Sequence, residues 1–163
     1  MSSLSRKQLS LLFFITLALT LFMPVLMPGL NLIFFAPFLI VSYYQKSLLT
    51  CLWYALGCGL VLDLLCAEER IGFFALSFCL TTVVLYRQQQ YFFADNASTL
   101  PIMTFFFSFL STAVHAVLAY VLAKASSFSM EWVVTDLILM SAADALYALG
   151  VFVILPKLIS LRN

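Results

Sequence analysis

The sequence predicts an all-α integral membrane protein, a compact bundle of six transmembrane helices. Of its 163 residues, 64% are hydrophobic and only 9% are charged, and the mean hydropathy is +1.11. A soluble domain needs about 25% charged residues to cover its surface, so this composition excludes one. A net charge of +1 together with 17 Phe also excludes a disordered chain and a nucleic-acid-binding protein.

Six apolar runs predict the six helices. A membrane span takes about 20 residues, so the chain has room for six or seven spans and forms one polytopic domain over residues 1–163. The second and fourth runs are short, and short runs fit a bilayer by packing near its rim or by thinning it. The predicted spans cover residues 9–27, 30–44, 48–65, 71–86, 100–123 and 132–155.

Each run ends at a recognisable break in the sequence. The first run follows Arg6 and Lys7 and carries no small-x-small cleavage site, so we interpret it as an uncleaved span and not as a signal peptide. It ends at Pro28 and Gly29, which both disfavour a continuing helix. Polar or charged connections follow the later runs, at residues 45–47, 67–70, 87–99 and 124–131.

The basic residues predict the orientation, because Lys and Arg near span ends stay on the cytoplasmic side. With six spans, the three outer connections together carry only Arg70 and Lys124. Both termini are therefore predicted to be cytoplasmic. The six remaining basic residues fall on the cytoplasmic side: Arg6, Lys7, Lys46, Arg87, Lys157 and Arg162.

Four ionisable residues lie inside predicted spans, where a charged group costs about 2.5–3.5 kcal/mol and needs a partner. In the predicted topology Asp63, His115 and Asp136 share the outer level, and Asp144 lies at mid-membrane. We expect these four to form an intramembrane polar network. A histidine that faces a carboxyl group would lower the cost of burying both.

The third span carries small residues along one face. Cys51, Ala55, Gly59 and Asp63 follow one another at i, i+4 spacing, which lets a neighbouring helix approach closely. We interpret this row as a helix-packing or partner-binding face, with a substrate or proton site and a catalytic site as open alternatives. The four cysteines lack metal-ligand spacing, and no phosphate loop or nucleophile elbow occurs.

The end of the third span and the start of the fourth carry a motif. Residues 57–65 read GCGLVLDLL, and residues 71–76 read IGFFAL. These residues resemble the signature of the rod shape-determining MreD family, which is a Gly-rich span that ends in Asp-Leu-Leu, a short outer turn, and a next span that opens with Gly and Ala-Leu. The resemblance covers about residues 31–85, and the chain length and span number fit as well. In the turn, a Gly usual for the family is replaced here by residues 67–69, AEE.

The resemblance implies a scaffold of the bacterial inner membrane and no enzyme, with no catalytic residue, metal or cofactor. Members of the family bind the bitopic protein MreC and associate with the actin-like MreB, the glycosyltransferase RodA and a class B penicillin-binding transpeptidase. Their fold is similar to that of the S components of energy-coupling-factor vitamin transporters. At matching positions Gly59, Asp63 and Gly72 become helix-packing or partner-facing residues.

Two other classes of protein are alternatives. A substrate-binding S component would hold a vitamin in an outer-side cavity near Asp63, His115 and Asp136, and it is the main alternative. An intramembrane aspartyl peptidase of the lipoprotein signal peptidase type needs two carboxyl groups that meet. Asp136 and Asp144 are about 12 Å apart along one helix, and the expected Asn-x-x-Asp-Arg element is absent, so the peptidase is disfavoured.

Overall fold

The described part of the chain is helical throughout. The computed structural model describes residues 6–26, 33–66, 72–88, 99–123 and 133–160. The predicted all-α class is therefore confirmed for these ranges. They contain a π-helical segment, Val133–Leu139, and six α-helices: α1 (Arg6–Leu26), α2 (Ala36–Gln45), α3 (Leu48–Cys66), α4 (Phe73–Gln88), α5 (Thr99–Ala123) and α6 (Met140–Ser160).

Helix α2 begins later than the sequence predicts, and Pro37 explains the difference. Proline has no N–H group, and its ring clashes with the carbonyl group four residues earlier, so the first turn is where a helix accommodates it best. Pro37 occupies that first turn. The preceding residues, 33–35, form a turn in which the Ala36 N–H donates to the Ile33 carbonyl oxygen over 3.0 Å.

The short helix α2 is the centre of the bundle. All of its residues from Ala36 to Tyr43 are buried. It packs against α1, α3, α5 and α6, while α4 lies between α3 and α5, and α5 also packs against α6. Because neighbouring helices enclose α2, this helix of 10 residues buries its apolar side chains within the chain. The aromatic core around it includes Phe35, Phe38, Phe78 and Phe107.

Large apolar side chains lie on the outside of the protein as well as in its core. Large apolar side chains are exposed on five of the helices, as with Phe22 and Leu64 at 68% and 70%, whereas many hydroxyl and carboxyl side chains are buried. Two segments, Leu48–Leu65 in α3 and Thr99–Val121 in α5, are long and apolar enough to cross a membrane, with mean hydropathies of 1.9 and 1.8. These two helices indicate membrane association, and the crossing of all six stays a prediction.

Candidate functional site

The candidate site is the junction between α3 and α4, where Asp63 binds the start of the next helix. Its carboxylate is buried, with one oxygen accepting the Phe74 N–H over 3.0 Å and the other accepting the Ala75 N–H over 3.1 Å. The first N–H groups of a helix have no partner within the helix, and they lie at its partially positive end. Asp63 therefore caps α4 from a neighbouring helix.

Gly59 lies one turn before Asp63 and allows the close approach that this cap requires. A Cβ atom added at Gly59 would lie 2.7 Å from the Ala75 nitrogen and 2.9 Å from the Phe74 carbonyl carbon. Both contacts are with backbone atoms, which cannot rotate away as a side chain can. Only a glycine lets α3 and α4 meet at this distance.

Gly72 directly precedes α4 and has a backbone conformation that favours glycine. Its φ is +108°, a region that side chains with a Cβ atom rarely adopt. Its carbonyl oxygen accepts the Leu76 N–H over 2.9 Å, which is the first hydrogen bond of the helix. Gly59, Asp63 and Gly72, predicted from the resemblance, thus lie together at one junction.

The rest of the small-residue row lies inside the protein. Cys51 and Ala55 are fully buried, and they continue the face of α3 that carries Gly59 and Asp63. The contacts that the structure gives this face are with other helices of the same chain. Contact of these residues with a partner protein stays a prediction.

His115 reaches the same junction from α5. Its ring stacks on the ring of Phe74 with centroids 4.3 Å apart and an interplanar angle of 23°, and it meets Phe73 edge-on at 6.3 Å. Phe74 therefore connects the two predicted residues, because its N–H binds Asp63 while its ring contacts His115. The hydrogen bonds of Asp63 go to the backbone of α4, which sequence reasoning did not foresee.

Asp144 belongs to a second cluster, formed by α6, α5 and the turn before α2. Its carboxylate is buried, and one oxygen accepts the Ile33 N–H over 2.9 Å. The other accepts a short hydrogen bond from the Ser108 hydroxyl group. A backbone N–H group outside a helix is costly to bury unless the protein supplies an acceptor for it. Asp144 satisfies one such N–H group where the chain turns into α2.

Ser108 was missed in the sequence, although a signal for it exists. Thr104, Ser108 and Ser111 are all buried on α5, and their spacing of four and three residues leads on to His115. This inward polar stripe could have pointed to Ser108. Ile33 had no such signal, because its contribution is a backbone N–H that every residue except proline carries.

Three of the four ionisable residues in the predicted network lie in two separate clusters. Asp63 and His115 meet at Phe74, and Asp144 lies with Ser108 and Ile33. The backbone of Asp136 lies in the π-helical segment, and its side chain is outside the described residues.

The chemistry available at these clusters is hydrogen-bond acceptance. Both oxygens of Asp63 and both oxygens of Asp144 accept hydrogen bonds from groups of the same chain. Within the ranges that the structure describes, no group of three or more potential metal ligands occurs.

Replacement of Asp63 tests the cap. We expect Asp63→Leu to lower the free energy of unfolding by about 1–3 kcal/mol, because two N–H groups of α4 lose their acceptor. Asp63→Asn keeps one acceptor oxygen and should cost about 1 kcal/mol or less. Thermal unfolding in detergent measures both. Equal destabilisation by the two substitutions would contradict the capping role.

Comparisons with known proteins leave the family open. The chain matches no family model, and no curated protein or solved structure is similar to it.

Proposed function

We propose that this chain is a non-enzymatic membrane scaffold of the bacterial cell-elongation complex, which binds an MreC-like bitopic protein and helps direct peptidoglycan synthesis and cell shape. The observation that carries the proposal is the geometry of the α3–α4 junction. Gly59, Asp63 and Gly72, the three residues matched in the resemblance to the MreD family, each have a separate structural task there. This geometry supports a role of the motif in assembling the helices.

Residence in the bacterial inner membrane is supported by the many large apolar side chains on the outside of the bundle. Exposed apolar side chains on α1, α3, α4, α5 and α6 would be unfavourable in water, where a soluble monomer exposes no large contiguous apolar surface. The same side chains match the hydrocarbon of a bilayer. Buried hydroxyl and carboxyl groups would be costly against lipid. Most of the described buried hydroxyl groups, and the carboxyl groups of Asp63 and Asp144, are hydrogen-bonded inside the chain.

The proposed orientation has both termini in the cytoplasm. The Tyr86 hydroxyl donates to the Lys46 carbonyl oxygen over 3.2 Å, so the ends of α2 and α4 lie at the same end of the bundle. Lys46 and Arg87 therefore share one side, as the distribution of basic residues predicts. Asp63, on the last turns of α3, belongs toward the opposite side.

We expect labelling of engineered single cysteines in intact cells to reproduce this orientation, with the four native cysteines replaced. Positions 2 and 163 should be protected from an impermeant reagent, and positions 68 and 127 should react. Labelling of residue 163 but not of residue 2 would imply an odd number of spans and contradict the proposed topology.

A scaffold and a catalyst differ in their response to Asp63→Asn. An amide still accepts a hydrogen bond, so the scaffold should keep its partner and its effect on cell shape. A catalytic carboxylate cannot be replaced in this way, because an amide does not take up a proton or activate water. Complete loss of function with a folded Asp63→Asn protein would therefore argue for catalysis.

The direct test is capture of partners from bacterial membranes with the tagged protein. We expect an MreC-like bitopic protein to be retained, with RodA, MreB and the class B transpeptidase following in the same fraction. Recovery of a transporter ATPase module together with a bound vitamin would instead support the S component. For a Gly59→Leu variant in the same capture experiment, Gly57→Ala is the matched control, because a Cβ atom at residue 57 meets no atom within 4 Å.

A further inference from the structure

The ends of α2 and α4 hold two basic residues in a defined arrangement. Lys46 directly follows α2 and is extended with φ −127° and ψ 159°, and its N–H donates to the Ser42 carbonyl oxygen over 2.9 Å. The Lys46 carbonyl oxygen accepts the Tyr86 hydroxyl group. Both backbone groups of Lys46 are thus engaged, so its position relative to α4 is fixed.

Arg87 directly follows Tyr86 in the last turn of α4 and is exposed. A cation is favoured there, because the end of a helix carries a partial negative charge. The ring of Tyr86 packs edge-on against Tyr43 with centroids 6.3 Å apart. Tyr86 therefore connects the two cations, with its hydroxyl group on the backbone of Lys46 and its own backbone leading into Arg87.

The acids of the two clusters do not neutralise this pair. Asp63 is engaged at the start of α4, whereas Arg87 lies at the end of that helix. Asp144 is engaged at the turn before α2, whereas Lys46 follows the end of α2. Among the acids whose side chains the structure describes, each is therefore a full helix length from the nearer cation, so neither Asp63 nor Asp144 neutralises Lys46 or Arg87.

We propose that Lys46 and Arg87 form a binding site for an anionic phospholipid headgroup of the cytoplasmic leaflet. The positive charges of Lys46 and Arg87 complement the negative charge of such a headgroup, and they lie at the depth in the bilayer where headgroups occur. Apolar helix surface ends at these residues, and the phosphate groups of a bilayer begin where its hydrocarbon ends. The aromatic ring of Tyr86, with an apolar body and a polar tip, suits the same boundary. This inference rests on the proposed membrane residence and orientation.

The test is native mass spectrometry of the purified full chain with phosphatidylglycerol or phosphatidylcholine of matched acyl chains. We expect preferential retention of phosphatidylglycerol. Lys46→Gln and Arg87→Gln should each weaken it about fivefold, the factor that one basic residue near an anionic surface contributes. Tyr86→Phe, which keeps both charges but frees the Lys46 backbone, should weaken it by a smaller factor.

Lys157→Gln is the matched control, because it removes one positive charge from α6 and leaves α2 and α4 unchanged. It should leave phosphatidylglycerol retention within twofold of the wild-type value. Equal retention of the two lipids, or an equal loss in Lys157→Gln and Lys46→Gln, would overturn the site.

Capture of the MreC-like partner by the same variants is measured in parallel. Intact capture without lipid preference would refute the lipid site alone, and absence of the chain from membranes would refute the proposed function as well.

Discussion

Gly59→Ala should destabilise the protein by about 1–3 kcal/mol, although alanine is the better helix former. The added methyl group would lie under 3 Å from backbone atoms of Phe74 and Ala75, so α4 must move away from α3. That movement also lengthens the hydrogen bonds between Asp63 and the start of α4. Thermal unfolding in detergent measures the loss, and Gly59→Leu should enlarge it.

Gly57→Ala is the matched control for this prediction, on the same helix two residues earlier. Its added methyl group meets no atom within 4 Å, so the greater helix propensity of alanine should stabilise the protein by up to about 1 kcal/mol. Equal unfolding temperatures for Gly57→Ala and Gly59→Ala would show that the close contact between α3 and α4 does not matter for stability.

Gly59 and Asp63 should not act independently. Both substitutions weaken the same contact between α3 and the first turn of α4, so their combined effect should be smaller than the sum of the single effects. A double-mutant cycle with Gly59→Ala and Asp63→Leu measures this coupling. Simple additivity would mean that the glycine contact and the cap are separate features.

Asp144→Leu should cost about 2–5 kcal/mol, which is the second large effect. It leaves the buried Ile33 N–H and the buried Ser108 hydroxyl group without their acceptor, each at about 1–3 kcal/mol. Asp144→Asn should cost far less. The amide oxygen still accepts the Ile33 N–H, and the amide nitrogen can donate to the Ser108 oxygen.

Thermal unfolding of both variants checks this prediction, with Leu146→Ala as the control on the same helix. Leu146 is 70% exposed, so its truncation should change the free energy of unfolding only slightly. Equal unfolding temperatures for the Leu and Asn variants of Asp144 would show that the hydrogen bonds to Ile33 and Ser108 are not what this carboxylate contributes.

The two carboxylates share a structural principle. Each lies on one helix and accepts a backbone N–H from the start of another, Asp63 at α4 and Asp144 at the turn before α2. N–H groups at such positions lack partners within a helix, and bulk water cannot supply them inside an apolar bundle. Each of these buried acids therefore joins two elements of the fold.

The sequence by itself determined the helical class and marked the residues that needed an explanation. Long apolar runs without alternation predict helices, and an ionisable group inside such a run is costly wherever the run packs. Asp63, His115 and Asp144 are therefore conspicuous in the amino-acid sequence alone. The i, i+4 row from Cys51 to Asp63 likewise marked the inward face of α3, because small residues repeated once per turn serve close helix packing.

The partners of those residues were decided only by the tertiary structure. Asp144 binds Ile33 across a sequence separation of 111 residues, and the atom that it binds is a backbone N–H with no signature in the sequence. The central position of α2 was equally hidden. The apolar side chains of α2 face protein, whereas the neighbouring helices also carry apolar side chains on their outer faces. In a chain that is 64% hydrophobic, the interior and the outer surface therefore hold the same types of residue. Hydrophobic periodicity locates a core only where the outer face is polar, so here the packing of the six helices had to decide which faces meet.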